Sequence, residues 1–241
     1  PSPDAALWQT GWWKQLREIP SKTKVPIYLL SGWYDHHHGS SMKTWERLNE
    51  ETKQHSWLEI GAWNHFFQIC LEGKEVLHPQ NEEIPKMLEW FELTLKQKEI
   101  PTQRIRAYEI GADRWIDTVS DGLGEKGTAG SMTLYLDEKA LRADAPEQEK
   151  TRNYTFDPAT PVESIGGEAL LHTMPQIGSH LQPEPDYRGD VLSFVSEPLE
   201  ETFTLNGKAS VCLFVESDCE DTAFTAKIME VTPEGKAYNI R

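Results

Sequence analysis

From Lys24 to Ser31 the chain reads Lys-Val-Pro-Ile-Tyr-Leu-Leu-Ser, and from His55 to Ile60 it reads His-Ser-Trp-Leu-Glu-Ile. Short apolar runs with turn residues on either side suit strands buried on both faces, as in a parallel sheet. Parallel strands need a crossover long enough to hold a helix. One is available here: Gly39-Ser40-Ser41 offer capping groups, and Met42, Trp45 and Leu48 then share one helical face. Ile84, Met87, Leu88, Phe91 and Leu95 recur at i, i+3, i+4, i+7 spacing and predict a second amphipathic helix. Arg104 to Ile110 alternates like a strand with one wet face. Strand–helix–strand–helix–strand is the order of an α/β layer. Residues 1–20, rich in Trp and closed at Pro20, read as a helical piece that packs against something larger.

The texture then changes. Residues 121–130 are a Gly-rich break that reads as a linker, with one domain over 23–120 and another over 121–241. Beyond the break there is no helical period. Short runs (132–136, 152–156, 191–195, 201–205, 209–215 and 223–231) are separated by Pro, Gly and Asp. Many short strands with frequent turns predict an all-β sandwich or jelly roll. The fold class expected is therefore α/β plus all-β.

Composition narrows the function. Apolar residues make up 38% and charged residues 26%, and no apolar run approaches a membrane span. A net charge of −15 argues against nucleic acid, whose phosphates are held by basic patches. Cys70, Cys212 and Cys219 are odd in number and lack CxxC spacing, so buried free thiols are expected rather than a zinc ribbon or disulfide framework. The opening Pro-Ser-Pro-Asp and a strand-like pattern running off at Arg241 read as cut ends. A sheet missing its leading strands would present an unpaired apolar edge, which predicts association with a second copy or with an absent N-terminal part.

Asp35 follows the first apolar run in Gly-Trp-Tyr-Asp, and His65 follows the second in Gly-Ala-Trp-Asn-His. In an open parallel sheet the reactive crevice lies beyond the carboxyl ends of the strands. A carboxylate and then an imidazole there are the last two members of a Ser…Asp…His relay in α/β-hydrolase chain order. No Gly-x-Ser-x-Gly elbow precedes them, so the nucleophile is expected upstream of this chain. Neither Ser40-Ser41 nor Ser131 stands at a strand-to-helix turn. Trp33, Tyr34, His36 and Trp63 flank the pair and are candidates for the substrate pocket, or for simple core packing. His36-His37-His38 invites a metal reading, but adjacent residues in an extended loop point apart, so neither metal nor cofactor is expected.

Beyond these positions, the segments VPIYLLSGWYD and LEIGAWNH resemble the acid-bearing strand and histidine segment of the X-Pro dipeptidyl-peptidase / cocaine-esterase group of serine hydrolases, the peptidase S15 class. Tyr154-Thr-Phe-Asp157-Pro158-Ala-Thr-Pro161 followed by Gly166-Gly167 is similar to the group's entry into a C-terminal jelly roll. So are Asp190-Val191-Leu192 and the run from Leu213 through Asp218 and Asp221 to Lys227. Ala62 stands where that group usually has proline. The resemblance implies that residues 1–22 close a helical cap, that Asp35 and His65 are triad acid and base, and that an ester or amide is cleaved through an acyl-enzyme. Partners would then be small acyl esters, amides or peptides, with no cofactor. The rival expectation is a non-catalytic jelly roll that binds carbohydrate or a protein partner.

Overall fold

The structure is a computed structural model that describes residues 5–69, 71–74, 83–97, 99–118, 130–168 and 177–240. Cys70 and the Gly-rich stretch at 121–129 lie outside the described residues. A helix, α1 (Gly11–Lys22), precedes the first strand and carries Pro20 in its last turn instead of ending there. The larger sheet holds β1 (Tyr28–Tyr34), β2 (Trp57–Asn64), β3 (Arg104–Glu109) and β4 (Arg114–Thr118), side by side in that order. The first two pairings are parallel and the last is an antiparallel hairpin. The hairpin strand β4 carries no clear sequence signal and was not anticipated.

Both apolar runs become strands with shifted limits. β1 starts at Tyr28 because Pro26 has no N–H to give a ladder. The Ile27 N–H goes to Ser56 Oγ instead, at 3.0 Å. Both strands continue through the glycines that read as stops. A Cβ on Gly32 would collide with the Trp63 carbonyl, and one on Gly61 would fall inside the Trp63 ring, so these glycines permit close approach within the sheet. Every residue of β2 is buried.

Helix α2 (His38–Arg47) begins before the expected capping group, so Gly39, Ser40 and Ser41 lie inside it. Its first turn is set by the His38 N–H donating to the Asp35 carbonyl at 2.8 Å. Trp45 and Leu48 pack with Leu58, Ile60, Ile105 and Ala107 as the main apolar cluster, with Met42, Leu29 and Trp33 at its margin. Each large side chain fully buried here contributes about 1.5–3 kcal/mol. The short helix α3 (Glu50–Lys53) is capped by the Asn49 side chain, which accepts from the Thr52 N–H.

Helix α4 (Glu83–Phe91) runs on into a π turn, Glu92–Gln97. Trp90 is its buried residue, set against Tyr28 and Trp57 at centroid distances of 5.8 and 5.1 Å. The helix is where the periodicity puts it, but Ile84, Leu88, Phe91 and Leu95 stay exposed. No described element covers that stripe.

The described residues of 130–168 and 177–240 include two small sheets. β5 (Tyr135–Asp137), β6 (Ala140–Arg142) and β7 (Val195–Ser196) make one, and the hairpin β8 (Met229–Val231) with β9 (Ala237–Asn239) makes another. The runs at 152–156, 201–205 and 209–215, expected as strands, form none, and their side chains are exposed. A half-apolar strand is stabilised mainly by a second layer that covers its face, and no such layer stands over these runs among the described residues. The expectation of buried thiols also fails for Cys212 and Cys219, which are exposed and unpaired as a disulfide. Asp157 closes a turn, its carboxylate accepting from the Ala159 N–H at 2.9 Å.

One part of this half is well built, around Asn239. Its Oδ1 accepts from the His180 N–H and from Gln182 Nε2, and its Nδ2 donates to the Gly178 carbonyl, all at 2.9–3.0 Å. Gly166, at φ 75°, leaves the room that this side chain occupies. The hub is fastened to the loop after β2: the Leu181 N–H donates to Glu72 at 2.9 Å, and Lys74 pairs with Glu230.

Candidate active site

Two neighbouring parallel strands end beside each other, and their register decides what meets there. Gly32 faces Gly61, but Tyr34 faces Asn64, so β2 has one extra residue between those two pairings. Without this bulge Asp35 would stand opposite Asn64; with it, the position opposite is His65. Bulges re-aim side chains in this way.

The result is direct contact. His65 Nδ1 lies 3.2 Å from both carboxylate oxygens of Asp35. A carboxylate can only accept, so Nδ1 carries the proton and the lone pair sits on Nε2. The Asp35 side chain is 13% exposed and that of His65 40%, so the acid is sheltered while the ring still meets solvent. Asp35 is fixed in turn, its Oδ1 accepting from the His37 N–H at 2.8 Å. His65 sits in a loop stapled by Asn64, whose Oδ1 accepts from the N–H groups of Phe66 and Gln68 at 2.9 and 3.1 Å. Phe67 takes a φ of 56° to close that turn. Asn64 was missed in the sequence reading. The signal available for it was an Asn at the end of a strand-like run, a residue type that caps the N–H two positions on.

Of the four pocket candidates, only His36 stands beside the pair. Tyr34 and Trp63 are 2% and 1% exposed and have no surface to offer a substrate. Trp63 packs on Phe67 and Trp115, and burial pushes the Tyr34 phenol up to about 12, against a hydrogen bond from Ser179. Trp33 turns inward, its Nε1 donating to the Tyr108 carbonyl at 2.8 Å. All three side chains are engaged in packing or inward hydrogen bonding rather than facing the Asp35–His65 pair.

The triple histidine behaves differently from an extended loop. His37 is already helical, at φ −90° and ψ −2°. His38 points inward to Ser31 Oγ at 3.1 Å, while His36 and His37 turn toward His65. One ligand nitrogen from each of His36, His37 and His65 lies within 4.8 Å of the others. Burial, with His37 next to it, pushes the His36 imidazole below its ordinary value, and Asp35 opposes this.

Residues 100–241 match the X-Pro dipeptidyl-peptidase C-terminal non-catalytic domain. That is more than half of the chain, and the chain belongs to this family. Asp35 and His65 lie ahead of the matched segment. The chain is also 27% identical, over 231 residues, to a cocaine esterase of Rhodococcus sp. (strain MB1 Bresler), covering 88% of this chain and 39% of that protein. A protein of Mycobacterium bovis (strain ATCC BAA-935 / AF2122/97) named "Putative serine esterase Mb1866c" is 24% identical over 222 residues, 89% of this chain and 34% of its own length. The chain therefore spans less than two-fifths of either relative.

Proposed function

We propose that this chain supplies the acid and base of a serine hydrolase that cleaves small acyl esters, amides or peptides through an acyl-enzyme. The carrying observation is the Asp35–His65 contact at 3.2 Å where two parallel strands end. In this reading His65 Nε2 takes the proton of a serine hydroxyl carried upstream of Pro1, and the serine oxygen attacks the substrate carbonyl. The imidazolium then gives that proton to the departing alcohol or amine. Asp35 holds the ring in the Nδ1–H tautomer and stabilises its charged form. Water enters next, and His65 serves again as base to release the acid.

The domain division belongs to the same proposal: residues 1–22 end a cap, 23–120 complete an α/β-hydrolase layer, and 121–241 form a jelly roll. The esterase names of the relatives and the parallel order of β1, β2 and β3 support it. In the complete polypeptide, His65→Ala is expected to lower kcat on a p-nitrophenyl ester by about 10⁴-fold or more, and Asp35→Asn by about 10⁴-fold. A fluorophosphonate should label a serine upstream of this chain, and only weakly in His65→Ala. Undiminished turnover in both variants would defeat the assignment.

A further inference from the structure

The three-imidazole cluster at the head of α2 does more than line a cleft. Neither ring nitrogen of His36 has a hydrogen-bond partner among the described residues, and both are shut off from solvent. Such a group leaves its hydrogen-bonding capacity unused, which is uncommon in folded proteins. The His36 ring sits against those of His37 and His65, with centroids 3.9 and 4.7 Å away. Asp35 Oδ1 is nearby at 3.6 Å from His36 Nδ1, and Glu168 is close enough to act on the same ring electrostatically. The cluster is thus a set of borderline-soft nitrogen donors in an anionic setting.

His65 already has the arrangement of a metal-ligating histidine. Such residues give one N–H to a carboxylate, which fixes the tautomer and leaves the other nitrogen for the ion. Asp35 plays that part at 3.2 Å. We propose that His36, His37 and His65 form a site for a divalent transition-metal ion of the Zn²⁺ class, with Asp35 as the carboxylate behind His65. Imidazole donors suit Zn²⁺, Cu²⁺ and Ni²⁺ rather than Mg²⁺ or Ca²⁺. A tetrahedral Zn²⁺ with Zn–N near ~2.05 Å holds its ligands about 3.4 Å apart. The nitrogens here lie within 4.8 Å of one another, so closure needs a side-chain rotation. Three protein ligands leave the fourth position to water.

Occupancy also takes His65 Nε2, the atom that the hydrolase reading gives to the serine proton, so the ion acts as a reversible inhibitor. That consequence rests on the proposed function, whereas the site itself does not.

The test uses the complete polypeptide, treated with chelator and dialysed. Calorimetric titration with ZnCl₂ is expected to show one site of micromolar affinity or tighter, and Co²⁺ to give the intense visible band of a four-coordinate ion. His36→Gln and His37→Gln should each weaken Zn²⁺ at least tenfold and abolish the band, and Asp35→Asn should weaken it about 10–100-fold. Circular dichroism confirms folding, and His37, being exposed, can be replaced without loss of the core. Unchanged Zn²⁺ affinity in both histidine variants, or a Co²⁺ spectrum that stays six-coordinate, overturns the site. In the ester assay, Zn²⁺ should inhibit, EDTA should reverse it, and His37→Gln should raise the inhibitory concentration at least tenfold. An inactive polypeptide that still binds Zn²⁺ through these residues upholds the site and rejects the hydrolase reading.

Discussion

The sheet of β1–β4 and the region from residue 130 onward draw on similar apolar sequence and put it to different use. In the sheet, Ile60 is 0% exposed and Trp63 1%, because a helix covers one face and strands flank β2 on both sides. In the later region Phe214 is fully exposed, and Phe203, Leu205 and Val211 are about half exposed. The difference lies in what covers each run, since hydrophobicity stabilises a fold only through the area it removes from water. The candidate site follows the same division. Asp35 and His65 stand at the end of the covered layer, where the backbone is fixed well enough to hold a 3.2 Å contact.

The strongest contrast comes from paired substitutions. Ile60→Ala should destabilise by about 3–4 kcal/mol, the transfer loss plus a cavity among Leu58, Ile105 and Ala107. Phe214→Ser should stay within about 0.5 kcal/mol, since its ring touches nothing that is lost. Urea unfolding of both variants measures this, and a Phe214 effect comparable to that of Ile60 would mean that a covering layer exists in solution.

Asn239→Ala sharpens the comparison from the other side. It should cost about 2 kcal/mol by leaving the His180 N–H unpaired and removing one of several bonds made by Gln182 and by the Gly178 carbonyl, which keeps the Gly167 N–H. If the hub anchors the later region to the loop after β2, amide exchange should rise at residues 177–182 while β2 keeps its protection. A uniform rise across both regions would show that they unfold together.

The smallest effect concerns Glu59 on β2. Burial raises its pKa above the ordinary carboxyl value, with Arg106, Lys86 and the Tyr28 hydroxyl opposing. A pKa raised on folding adds stability below the unfolded value, and that contribution is lost as pH climbs through the folded one. Glu59→Gln should therefore gain on the parent protein by about 1 kcal/mol or less between pH 4 and pH 8. Denaturant midpoints across that range give the slope; a parent that gains instead would show that the Arg106 attraction outweighs burial.

Much of the layer could be read from the chain. The runs at 24–31 and 55–60, the Met42–Trp45–Leu48 face and the strand at 104 all mark real elements. The acid and the imidazole were legible as residues placed just beyond strand ends. The stripe of α4 was legible as a helix but not as an uncovered one, because periodicity reports amphipathicity and not what lies opposite. The aromatic residues beside the pair looked equally suited to pocket or core, since composition carries no direction.

Within the larger sheet and its helices, local sequence settled where β1, β2, β3, α2 and α4 form, through apolar spacing, the missing N–H of Pro26 and glycines that tolerate close approach. The one-residue bulge that sets His65 rather than Asn64 against Asp35 was decided only by the assembled sheet. So were the gathering of His36 and His37 around that ring and the burial of Trp63. Each depends on backbone segments about thirty residues apart in the chain meeting in one register. That register is fixed by packing across strands, a long-range balance that no local pattern encodes.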